Sequence, residues 1–174
     1  MKAKLQFGFL LLLTISAGCM SLLPGYSDKL ATNNVFRDAV FGDTISHYSN
    51  LIVTEDDGTT KYYERSSDTL ITPGLTLDKI TYGFYKGRLS SVDIATKGYV
   101  NSRQALSVLA AKYGTPYQGN QFMETFNWFG KAVNLTYDEN SITNDATILY
   151  SSVPMSTQEQ SDKNSDATHS SSKF

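Results

Sequence analysis

The amino-acid sequence predicts an α+β fold, an antiparallel sheet of about five to seven strands with two helices packed on one face. Three observations carry this expectation. Two stretches alternate apolar and polar residues on either side of a short glycine-containing turn, as hairpins do. One stretch repeats its apolar residues at helical spacing. The 174-residue chain holds eleven Tyr and nine Phe but one Trp, an aromatic supply that suits packed strands. Its length fits one globular domain.

The chain opens with MKAKLQFGFLLLLTISAGCM. Lys2 and Lys4 form a positive n-region, Leu5 to Ile15 a short apolar run, and Ser16, Ala17 and Gly18 a small-residue cleavage region. The apolar run of roughly 11 residues is too short for a bilayer span, which needs about 20. Residues 1–18 therefore read as a signal peptide. Residues 19–33, with Pro24 and Gly25, read as a short tether.

The folded domain is expected over residues 34–154. FRDAVFG, residues 36–42, suits a short leading strand. GDTISHYSNLI, residues 42–52, suits a helix capped by Asp43 or Thr44, with Ile45, Tyr48 and Ile52 on one face. TKYYERS, residues 60–66, reads as a strand. In DKITYGFYKGRLSSVDIAT, residues 78–96, Ile80, Tyr82 and Phe84 alternate and Lys86-Gly87 turns. Leu89 is out of phase with Val92 and Ile94, which predicts a bulge.

The clearest helix is NSRQALSVLAAKYGTP, residues 101–116. Leu106, Leu109, Ala110 and Tyr113 share a face, Asn101 and Gln104 suit a capping box, and Gly114 and Pro116 mark the end. TFNWFGKAVNLTYDEN, residues 125–140, is a second hairpin turning at Gly130-Lys131. ATILYSSV, residues 146–153, is a last strand. The order suggests an α-β-β-β unit used twice. Residues 155–174 are polar and Ser-rich, which predicts a disordered tail.

The one cysteine excludes an internal disulfide and a cysteine-based zinc site. SAGC, residues 16–19, resembles the lipobox of bacterial lipoproteins: Ala17, Gly18 and Cys19 match its Leu-Ala-Gly-Cys form, and Ser16 stands where Leu is preferred. The resemblance implies cleavage between Gly18 and Cys19, diacylglycerol on the Cys19 thiol and acylation of the new amino group. Several acyl chains on one residue anchor stably. Met20 and Ser21 follow the cysteine, and the lack of Asp there implies the outer membrane, facing the periplasm, in a Gram-negative cell. The body also loosely resembles small α+β periplasmic lipoprotein domains and proteinaceous enzyme inhibitors, a likeness of layout that does not fix function.

The formal charge of −2 offers no positive field for nucleic acid. Chemistry is sparse. His47 is expected on an exposed helix face, and His169 lies in the tail. EDDG, residues 55–58, and DEN, residues 138–140, lack the alternating oxygen ligands of a calcium loop and read as turns. Glu124 could serve as a general acid but has no partner at a glycosidase's spacing. No metal or cofactor motif is evident, so no cofactor is expected. Most strand aromatics belong to the core, but Tyr85 and Phe129 oppose their neighbours and would face outward as a partner surface.

Two functions follow as expectations. The first is a non-catalytic, membrane-anchored lipoprotein that binds a protein partner in the envelope through a sheet face or hairpin edge. The second is an envelope enzyme or inhibitor acting on cell-wall or protein substrates.

Overall fold

A computed structural model of the chain describes residues 23–171. Cys19, Gly18 and the signal segment lie outside the described residues. The fold is α+β, and its centre is one antiparallel sheet of seven strands.

In chain order the elements are α1 (Asp28–Thr32), β1 (Val35–Phe36), β2 (Ala39–Val40), a 3₁₀ turn (Ile45–His47), β3 (Leu51–Asp56) and β4 (Thr60–Arg65). There follow β5 (Ile71–Thr72), β6 (Leu75–Thr76), β7 (Lys79–Tyr85), β8 (Arg88–Thr96) and α2 (Gly98–Tyr113). The chain closes with β9 (Thr125–Trp128), β10 (Val133–Glu139), β11 (Ala146–Ser152) and α3 (Val153–Ser171). The main sheet runs β3-β4-β7-β8-β11-β10-β9, with β1-β2 and β5-β6 as two-stranded satellites. Two meanders meet where β8 pairs with β11, in the register Ile94↔Ile148 and Val92↔Tyr150. The expected doubling does not hold in full: β3, β4, β7 and β8 make four strands in the first half against three in the second, and among the described residues no α-helix leads directly into β3.

The bulge foreseen at Leu89 is present. Gly83 faces Ser91 and Phe84 faces Leu89, leaving Ser90 as the extra residue. That insertion lets both Leu89 and Val92 reach the core, where both are fully buried. The turn before it uses Lys86 and Gly87 at positive φ, 46° and 76°, as a two-residue hairpin requires.

The α2 helix begins before Asn101, at Gly98, and Asn101 does not cap it. Its side chain instead donates to the Lys97 carbonyl, and the Gly98 N–H is met by Asp145 Oδ1 at 2.9 Å. Ala105, Leu109 and Tyr113 bury one α2 face against the sheet, and Leu106 and Ala110 flank it. Trp128 Nε1 donates to the Gly114 carbonyl at 2.7 Å, tying β9 to the helix end.

Three expectations are corrected. Residues 42–52 do not form a helix. Asn50 adopts φ 60°, which ends any helical run, and the β-branched Ile52, Val53 and Thr54 continue into β3. Residues 23–33 are not merely a tether. The Ser27 N–H donates to the Phe129 carbonyl and the Phe129 N–H to the Gly25 carbonyl, both at 2.8 Å, while Leu30 is buried in the core. Gly130 permits this close approach: a Cβ there would stand 2.3 Å from the Leu30 carbonyl carbon. Thirdly, most of residues 155–174, expected as a disordered tail, belong to α3.

Composition alone undersells α3, because its support is positional. Pro154 sits in the first turn, where its missing N–H is harmless. Lys163 pairs with Glu159 at 2.7 Å, and Thr157, Ser165 and Thr168 return hydrogen bonds to carbonyls four residues back. Met155 is buried, and Asp162 accepts from the Tyr85 hydroxyl at 2.8 Å and from Lys86 Nζ at 2.7 Å. Phe84 and Tyr85 point to opposite faces of β7, and both are buried. Thus α2 covers one face and α3 crosses the other, so the two long helices do not share a face.

Candidate functional site

The sheet end formed by the start of α2, the loop before β9 and the β10–β11 loop concentrates polar chemistry and exposed apolar side chains. Its base is Arg103 on α2. Arg103 Nη1 donates to Glu124 Oε2 at 3.0 Å. Arg103 Nε lies 3.1 Å from Glu139 Oε2, but its N–H is not aimed at that oxygen, so this contact is Coulombic rather than a hydrogen bond. The Glu139 side chain is only 1% exposed and accepts from the Tyr137 hydroxyl. Burial, then the adjacent Glu139 carboxylate, pushes the Tyr137 phenol well above its usual range, so the phenol stays neutral and donates. Arg103 is held further toward its charged form, first by Glu124.

Glu124 is therefore not without a partner. It is one arm of a Glu-Arg-Glu arrangement whose other arm, Glu139, belongs to the DEN stretch that the sequence suggests as a turn. In the DEN stretch only Asn140 serves the turn, its Oδ1 accepting from the Ile142 and Thr143 N–H groups. Asp138 and Glu139 belong to β10. A signal for Glu139 existed in the sequence: it keeps phase with Val133, Leu135 and Tyr137, all core positions. A carboxylate in phase with a core stripe demands a buried partner.

Fixed loops surround this base. Ser102 Oγ donates to the Asn144 carbonyl at 2.7 Å, and Gln118 Nε2 donates to the Met123 carbonyl at 2.7 Å. From these loops Phe122 and Ile142 project with 87% of their surface exposed, accompanied by Met123, and the three share the rim of one shallow cleft with Glu124 and Glu139. Tyr99 and Val100, also exposed, lie on the first turn of α2, and the Arg103 guanidinium sits 5.5 Å from the Tyr99 ring centroid.

The other candidates separate. His47 is exposed as expected, but it has a partner, Asp43 Oδ1 at 2.8 Å from its Nδ1. His169 lies on α3. In EDDG, Asp56 and Asp57 accept from the N–H groups of Gly58, Thr59 and Thr60, so the turn reading holds. Tyr85 is covered by α3 and offers no partner surface. Phe129 is partly exposed and leans on Tyr117, with ring centroids 6.3 Å apart. Among the described residues no group of three or more His, Cys, Asp or Glu could hold a metal ion, and no helix is long and apolar enough to cross a membrane.

No protein-family model, curated protein or solved structure matches the chain.

Proposed function

We propose that this protein is a lipid-anchored module of the bacterial cell envelope that binds a protein partner and performs no catalysis. The anchor is Cys19, exposed as the new N-terminus after cleavage at Gly18, and the setting is the outer membrane facing the periplasm. The observation that carries the binding reading is the pair Phe122 and Ile142, each 87% exposed. Large apolar side chains held outward on hydrogen-bonded loops lose little entropy on docking, and they fit a partner that presents an apolar segment. This moves the docking surface from the sheet face, which α3 occupies, to the loop end. The enzyme reading is second because Glu124, its best carboxylate, is engaged by Arg103.

Two arms test the reading. Cys19→Ala should abolish fatty-acid labelling and leave an uncleaved precursor or a soluble product, and unchanged labelling refutes the anchor. Crosslinking in intact cells should capture a partner that is lost with F122S/I142S at unchanged thermal stability. Retention of the same adduct by that variant refutes the docking surface.

A further inference from the structure

A second cleft, of about 380 Å³, lies on the α3-side face of the sheet. Thr81 and Asp93 sit opposite each other on β7 and β8, and Thr147 on β11 points to the same face. Tyr62, Glu55 and Lys79 complete its walls.

One of its buried polar groups is unpaired. Thr81 is 8% exposed, its hydroxyl oxygen has no hydrogen-bond partner, and it lines this cleft. Native proteins seldom leave such a group unmet unless water, an ion or a ligand completes it. Beside it stands the partly buried Asp93 carboxylate. Burial raises its pKa, and only the Lys79 charge pulls the other way. Two carboxylates, Asp93 and Glu55, face one ammonium, Lys79. The Tyr62 phenol is raised first by burial and then by the carboxylates of Asp57, Asp93, Glu55 and Glu159, so the local field is negative.

We infer that this cleft binds a primary ammonium group, with Asp93 as counter-ion and the facing Thr81 hydroxyl oxygen as a further acceptor. An ammonium carries three donors and no acceptor, which matches a carboxylate and a hydroxyl on facing strand positions, with the remaining donor left to water. An anion would meet two carboxylates, and an apolar group would leave Thr81 unmet. Two sources supply this chemistry: a small amino alcohol, or a lysine side chain on a peptide.

The test is amide chemical-shift titration of the full chain with ethanolamine, with Nα-acetyl-lysine amide, and with ethylene glycol as the uncharged control. Saturable shifts at Thr81, Asp93, Ala95 and Thr147 are expected with at least one amine and not with the glycol, and the tighter amine identifies the source. Asp93→Asn should weaken binding about tenfold or more, the scale of one charge-assisted hydrogen bond. Thr81→Val keeps the side-chain shape, and it should weaken binding severalfold with unchanged melting. Absence of saturation with both amines, equal shifts with ethylene glycol, or undiminished affinity in both variants overturns the inference.

Discussion

Replacing Tyr137 with Phe removes one hydroxyl and leaves the ring in place, 6.0 Å from the Phe126 centroid. The hydroxyl is the hydrogen-bond donor to Glu139, whose side chain is almost wholly removed from water. A hydrogen bond to a charged group contributes about 1.5–3 kcal/mol, and removing one partner of a buried pair costs more than removing both. Arg103 Nε remains 3.1 Å away and offsets part of the loss. The expected cost of Y137F is therefore about 2 kcal/mol. In a domain of this size that lowers the melting temperature by about 4–8 °C. Urea denaturation of the wild type, Y137F, E139L and Y137F/E139L closes a double-mutant cycle. The double variant should lie well above the sum of the singles, with a coupling of about 1–2 kcal/mol. Y137F within about 0.5 kcal/mol of wild type, or strict additivity of the cycle, refutes the view that Glu139 depends on this hydroxyl.

Other outcomes follow from the same geometry. Asp93 has a raised folded-state pKa, so its protonated form is favoured: stability is fully present below the ordinary value of 3.8 and falls as pH rises through the folded value. D93N should therefore raise the melting temperature at pH 7 and change it little near pH 3, as calorimetry would show. M155A deletes a buried side chain beneath α3 and should cost about 2–3 kcal/mol by chemical denaturation. G130A drives a methyl group into the Leu30 backbone and should cost about 1–3 kcal/mol, with a larger effect than A132G, where no added atom clashes. F122S/I142S changes two exposed side chains and should leave stability within about 0.5 kcal/mol per site.

Local chemistry was the legible part of this fold. Lys86-Gly87, the phase slip at Leu89 and the Leu109–Tyr113 helix face all appear where short-range patterns placed them, because turn geometry and periodicity act over a few residues. The misread parts depend on distant contacts. The Gly25–Leu30 segment joins the fold through Phe129 and Gly130, about 100 residues away in sequence. The α3 helix looks too polar to fold, yet Tyr85 and Lys86 seat it through Asp162. In β3, the 3.6 spacing of Ile45, Tyr48 and Ile52 competed with a β-branched run, and the run prevailed. The candidate site divided in the same way. Glu124 was noticed as a carboxylate, but its Arg103 partner comes from a helix that only tertiary packing brings near.

The two borders of the main sheet are unequal. At β9 the Gly25–Ser27 segment and Tyr117 take up backbone groups, through Ser27 to Phe129 and Tyr117 to Asn127 at 2.8 Å. At β3 there is no further strand among the described residues, and a bulge near Thr54 and the charges of Glu55 and Asp56 discourage pairing. If Cys19 carries lipid as proposed, six residues separate it from Gly25, a reach of about 20 Å at full extension. The sealed border would then hang close to the bilayer. The open one would lie about 29 Å further along the sheet, six strand spacings away. A protein pinned this way is polarised: one side is committed to its anchor, and the opposite side is the first that anything approaching from the periplasm would meet.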